Sequence, residues 1–199
     1  MPSFAAALDA TLEVPGIGEV RFDVGYGGAF YAILPAERLG VPLETARTPE
    51  LVRAARALVD AGRAALREGR DLGVTHPEDD LSFLYGAILT GPAEDSAHHD
   101  RNLCVFAEGE VDRSPTGSGV SARLAVAHAR GEIAPGEERA IESILGSASV
   151  FRGRIVRTES WDGREAVVPE VRGAAHPVGS ARYVLAPDDA IGRGFLLPR

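Results

Sequence analysis

Residues 102–133 read NLCVFAEGEVDRSPTGSGVSARLAVAHARGEI. The first part is strand-like, with Leu103 and Val105 alternating about Cys104. The last part reads as a helix, because Val120, Leu124 and Ala127 recur at i, i+4 and i+7. Between them lies Asp112–Gly119, DRSPTGSG, a strand-to-helix corner that holds two glycines, three hydroxyls and an aspartate. Thr116 occupies the N-cap position, and Gly117, Ser118 and Gly119 form the first helical turn. The N–H groups of a first turn have no partner within the helix and sit at the positive end of its dipole, so such a corner can hold an anion. Glycine lets a ligand approach the backbone closely. Asp112, just before the corner, can accept a hydrogen bond from an ammonium or imino group. Two readings stay open on pattern alone: a capped turn, or a site that takes a carboxylate on the helix and an amine on Asp112.

Working outward, residues 12–34 read as a hairpin. TLEVP and EVRFDVGYG flank the turn PGIG, and Val20, Phe22 and Val24 alternate with Arg21 and Asp23. Gly25, Gly27 and Gly28 open the apolar run that follows; a bulge or a close backbone approach would explain them, and a bulge is expected. Residues 49–68 predict a helix with Thr48 as N-cap, Pro49 at N1 and Gly69 as the stop. Leu51, Ala55, Leu58, Ala61 and Ala65 would share its buried face, with Arg53, Arg56, Arg63 and Arg67 in solvent. LSFLYGAIL reads as a buried strand and TGPAEDSAHHDR as a polar loop. SILGSASVFRGRIVRT, REAVVPEVRGAA and SARYVLAP read as further strands. The expected class is α+β, strand-rich with a buried central helix.

Composition narrows the function. The 199 residues are 45% hydrophobic, enough for a sizeable core. No run approaches the ~18 apolar residues of a membrane span. MPSFAAALDATLEV lacks the basic start of a secretory signal, so a cytoplasmic location is expected. The net charge of −8, with no basic block, argues against nucleic acid. All 21 basic residues are arginine, which removes lysine Schiff-base chemistry and the P-loop lysine. One cysteine excludes an internal disulfide and a multi-cysteine zinc site.

Other candidates for chemistry are weaker. A serine nucleophile would need the GxSxG elbow, which the corner does not contain. His98, His99 and Asp100 suggest a metal only by adjacency, and exposed loop histidines are the plainer reading, so no metal is expected. Cys104, in a strand, reads as an inert buried thiol. His128, on the helix, reads as a core-edge or surface residue.

The segment CVFAEGEVDRSPTGSGVSARLAVAHARGEI resembles the second active-site segment of the proline racemase family. Its members include proline racemases, 4-hydroxyproline epimerases and trans-3-hydroxy-L-proline dehydratases. PSFAAALDATLEVPGIGEVRFDVGYGGAFYAIL, HPEDDLSFLYGAIL, ESILGSASVFRGRIV and GRGFLLPR carry the resemblance over essentially the whole chain. It implies part of a two-half fold like that of diaminopimelate epimerase, with the active site between the halves. Racemases and epimerases of the family use two cysteines, and the second falls where this chain has Thr116. A threonine hydroxyl is far too weak an acid to replace a thiolate base, whereas a thiol with a pKa near ~8.5 can be tuned downward. The resemblance therefore points to the dehydratases, in which one cysteine removes the α-proton of trans-3-hydroxy-L-proline and the 3-hydroxyl leaves as water. The enamine then tautomerises to Δ1-pyrroline-2-carboxylate, with no cofactor.

By the same resemblance Asp112 holds the ring nitrogen and the N–H groups of Gly117 and Ser118 cradle the carboxylate. Thr116 lines the pocket near the reacting carbons, Phe106 forms an apolar wall, and His76 touches substrate. The family's first cysteine lies in a Cys-Gly-His motif that this chain does not contain. Residues 1–199 are thus expected to be the C-terminal, substrate-binding portion, its tail packing on the other half. The expected partners are an imino acid and either that half or a second copy in a homodimer. The alternatives are a hydroxyproline epimerase or racemase, and an inactive imino-acid-binding fragment.

Overall fold

The computed structural model describes residues 1–195. Two helices and nine strands follow in the order β1 (Phe4–Val14), β2 (Gly18–Tyr26), β3 (Phe30–Pro35), α1 (Thr48–Arg67), β4 (Leu84–Gly91), β5 (Asp100–Phe106), β6 (Glu110–Val111), α2 (Gly117–Ala129), β7 (Glu138–Ser143), β8 (Gly146–Trp161) and β9 (Arg164–Arg172). The strands form one sheet in the order β1-β2-β3-β4-β5-β7-β8-β9, with β6 paired to β5. Two pairings are parallel, β3 with β4 and β5 with β7. Each needs a long crossover, and these crossovers carry α1 and α2 respectively. The architecture is mixed, strand-rich and built on few helices.

The two ends of the sheet meet. The Ser3 N–H donates to the Val167 carbonyl and the Val167 N–H to the Ser3 carbonyl, each over 2.8 Å. This single bridge joins the β1 side to β9. The sheet curls around α2, which touches β1, β2 and β3 on one side and β8 and β9 on the other. Enclosure explains a helix that is apolar all round: Val120, Ala122, Leu124, Ala125, Val126 and Ala127 are all buried.

The sheet's two faces follow the period of 2 along its strands. On β3, Phe30, Ala32 and Leu34 join the large core that α1 covers with Leu51, Ala55 and Leu58. Tyr31 and Ile33 point the other way and pack with Ile88, Cys104, Ala122 and Val126 beside α2.

Several expectations change in detail. Arg47, not Thr48, is the N-cap of α1, and Pro49 falls in its first turn. The Thr48 hydroxyl instead donates back to the Thr45 carbonyl over 2.7 Å. Arg63 is not a solvated residue; it donates to the carbonyls of Leu84 and Tyr85. SARYVLAP, expected as a strand, forms none and pairs with no strand of the sheet. Residues 196–199 of the closing GRGFLLPR lie outside the described residues. No helix is long and apolar enough to cross a membrane among the described residues.

Gly25 and Gly27 serve close approach rather than a bulge. A Cβ on Gly27 would sit 2.2 Å from the Ser118 carbonyl oxygen and 2.5 Å from the Ala122 nitrogen. The absence of that side chain lets the β2–β3 turn lie directly against the first turns of α2. The register shifts of this hairpin fall on β1 instead.

Candidate active site at the start of the central helix

The corner between β6 and α2 is held by its own side chains. Asp112 Oδ1 accepts the Ser114 N–H over 2.8 Å, and Ser114 Oγ accepts the Thr116 N–H over 3.1 Å. These two local turns fix the loop. From the core, Asn102 donates to the Pro115 carbonyl while accepting from Arg123. From β8, the Ser149 hydroxyl donates to the Arg113 carbonyl. The Thr116 hydroxyl donates to Asp112 Oδ2 over 3.0 Å.

Thr116 is the N-cap of α2, yet no side chain caps the helix. The Val120 N–H finds the Thr116 carbonyl. The N–H groups of Gly117, Ser118 and Gly119 thus stay at the positive end of an enclosed helix without an intrahelical acceptor. Thr116 adopts φ 68°, ψ 109°, which is strained for a β-branched residue. Strain of this kind concentrates at functional positions.

A cavity of about 360 Å³ opens at this corner. Asp112, Thr116, Ser118 and Phe106 line it, so the structure brings four of the expected residues together. Gly117 is the first residue of α2, beside Thr116. A Cβ on Gly117 would meet nothing within 4 Å, so the backbone there is open to approach. His76 lies elsewhere. Its Nδ1 accepts the Glu78 N–H, its Nε2 sits 3.3 Å from the Tyr26 hydroxyl, and its ring packs against Trp161. It does not line the cavity.

The reading from sequence missed the aromatic floor and wall. Tyr31, Phe83 and Tyr85 also line the cavity. Tyr85 stacks on Phe106 with centroids 5.7 Å apart and meets Tyr31 edge-on, also at 5.7 Å. Phe83 and Tyr85 stand two residues apart, the spacing that puts side chains on one face of an extended segment, and that was the available signal. Such a wall lowers the local dielectric and strengthens any charge pairing made at Asp112 and the helix terminus. Burial raises the Tyr31 phenol above its ordinary value, so it keeps its proton at neutral pH.

Cys104 lies beneath the cavity, fully buried among Tyr31, Ile33 and Ile88. Burial pushes its thiol up to about 12, so it is no thiolate base at neutral pH. The histidines of the β4–β5 loop both make structural hydrogen bonds, His98 partly buried and His99 exposed as expected. His98 Nδ1 is 2.8 Å from Glu142 Oε1, and His99 Nδ1 accepts the Ala140 N–H. Glu142 is fully buried and also accepts the N–H groups of Glu94 and Asp95. Burial alone would raise its pKa, but these hydrogen bonds outweigh that and hold the carboxyl below the usual range. No group of three or more His, Cys, Asp or Glu positioned to hold a metal occurs among the described residues.

Comparison with known proteins places this corner in context. The family model for proline racemase matches residues 1–196. The chain is 43% identical over 199 residues to the human trans-3-hydroxy-L-proline dehydratase, covering 99% of this chain and 54% of that protein. The dehydratase of the same name from Colwellia psychrerythraea is 42% identical, again over 99% and 54%. The 4-hydroxyproline 2-epimerase of Streptosporangium roseum is 41% identical, over 99% and 57%. Among solved structures, a hydroxyproline epimerase from Agrobacterium vitis with bound trans-4-hydroxy-L-proline superposes with a TM-score of 0.81 at 33% identity. That match covers 99% of this chain and 54% of the epimerase. The chain spans about half the length of the curated relatives it matches.

Proposed function

The chain belongs to the proline racemase family, and from that premise we propose that it is the substrate-binding part of a trans-3-hydroxy-L-proline dehydratase. The observation that carries the proposal is the convergence of Asp112, Thr116 and Ser118 on one cavity at the uncapped start of α2; the family resemblance adds that Thr116 stands where its racemases and epimerases carry their second cysteine.

Asp112 takes the imino nitrogen. Each of its oxygens accepts one internal hydrogen bond and keeps a lone pair for the ligand. The N–H groups of Gly117 and Ser118 take the carboxylate. Phe106 and its aromatic neighbours exclude water. Thr116 spends its only O–H on Asp112, so it orients the aspartate and lines the pocket and does not remove a proton. The base is a thiolate on the remaining half of the enzyme, supplied by a cysteine this chain lacks. That base takes the α-proton, the electrons form the Cα–C3 double bond, and the C3–O bond breaks with release of water. The resulting enamine tautomerises to Δ1-pyrroline-2-carboxylate. The exposed apolar residues Val178, Tyr183 and Val184 of the C-terminal tail suit packing on that same half.

The test is turnover of trans-3-hydroxy-L-proline by the complete protein in deuterated water. Loss of water with formation of Δ1-pyrroline-2-carboxylate is the expected result. Exchange of the α-proton without water loss would assign the chain to the epimerases instead, a reading favoured by the bound ligand of the Agrobacterium vitis relative. Saturable binding with neither reaction would leave an imino-acid-binding protein.

A further inference from the structure

Tyr31 and Ser118 stand 87 residues apart in sequence, yet their hydroxyl oxygens meet at 2.7 Å. Both line the cavity beside Asp112 and Thr116. The position of each is fixed. Tyr31 is 1% exposed and braced edge-on by Tyr85. Ser118 rides on the first turn of α2, which the side-chain-free Gly27 holds against the β2–β3 turn.

The hydrogen count makes the pair informative. Two hydroxyls carry two protons, and the bond between them uses one. The other O–H points away from that bond, and the oxygens keep lone pairs as well. A hydroxyl pair set rigidly in a cavity wall therefore presents one donor and at least one acceptor to whatever enters. The proposed roles of Asp112 and the helix N–H groups already account for an amine and a carboxylate. Neither uses the Tyr31 phenol or the Ser118 side chain.

We propose that Tyr31 and Ser118 form a subsite for a hydroxyl group on the ring of the bound imino acid. The inference rests on the reading of the cavity as an imino-acid site and adds what selects among imino acids. A site built to hydrogen-bond a ligand hydroxyl disfavours the analogue that lacks it, because its own polar groups are then left unpaired. In the dehydration, the same O–H stands ready to donate to the departing oxygen. The proton lost there is restored from the thiol that took the α-proton, so substrate is converted to enamine plus water with no net change in the protein.

The experiment is an NMR titration of the complete protein, with the thiolate cysteine of the other half replaced by alanine so that ligand is bound but not consumed, using trans-3-hydroxy-L-proline and L-proline. In that background it is run on the wild-type pair, Tyr31→Phe and Ser118→Ala, each checked for native spectra beforehand. The wild type should bind the hydroxylated ligand roughly five- to tenfold more tightly, the worth of one neutral hydrogen bond. Both variants should bring that ratio close to one. If Tyr31→Phe does not fold, Ser118→Ala carries the same test, since its side chain is only partly buried. Equal binding of the two ligands by the wild type would overturn the subsite and leave the imino-acid reading standing. A preference retained in a folded variant would do the same. Saturable binding of neither ligand would overturn both readings.

Discussion

The Thr116 hydroxyl donates to Asp112 Oδ2 over 3.0 Å, across the corner that opens α2. A carboxylate that would face an imino cation is thereby fixed by the residue whose backbone is strained to reach it. Thr116→Val keeps the shape and removes the donor. The expected cost is about 1 kcal/mol of stability, with a several-fold loss of imino-acid affinity as Asp112 gains freedom. Denaturant unfolding and ligand titration of the same samples would check both. Unchanged affinity would mean that Asp112 does not contact the ligand.

Glu142 anchors the loop between β4 and β5 from below. Its carboxyl is held below the ordinary value in the folded state. Its contribution is therefore complete at neutral pH and is lost as the pH falls below about 4.5 and through the folded value. Glu142→Ala should cost about 3 kcal/mol at pH 7, since it leaves buried donors unpaired. It should also flatten the acid limb of the stability curve, measured by urea unfolding between pH 3 and 7, relative to the wild type.

Cys104 should be silent in the native protein. With its thiol pushed up to about 12 and no exposed surface, it should not react with a thiol reagent at pH 8. Full labelling should appear once the chain is unfolded in urea. Rapid labelling of the folded chain would contradict the burial described here.

Gly27→Ala and Gly117→Ala should behave oppositely. At Gly27 the new methyl meets backbone atoms at 2.2 and 2.5 Å, and neither can rotate away. A loss of about 3 kcal/mol or failure to fold is expected. At Gly117 nothing lies within 4 Å, so the melting temperature should hold or rise slightly through better helix propensity. Thermal melts of the two variants side by side provide the comparison.

The corner itself was legible in the sequence because its logic is local. Asp112, Ser114, Thr116 and Gly117 lie within six consecutive positions, and short-range turns and an uncapped helix start follow from residue type alone. The helical stretches, the strand-rich class and the family resemblance were legible for the same reason or through the motif they share. His76 marks the limit. Its place in HPEDD gave no sign that its ring packs with Tyr26 and Trp161 instead of entering the cavity.

What the sequence by itself determined, then, is both helices and most of the strands (though not the absence of one at SARYVLAP), which residues a strand sends to each face, and the chemistry available at the start of α2. The tertiary structure decided which faces meet. Alternation says that Tyr31 leaves Phe30 on the opposite side of β3, but not that its hydroxyl finds Ser118. Nor does it say that Tyr85 and Phe106 stack into one wall. Those neighbours depend on the register of β3 against β4 and of β4 against β5, and on the curl that closes the sheet near Ser3 and Val167. Register and closure are settled by packing across the whole sheet, so no window of consecutive residues contains them.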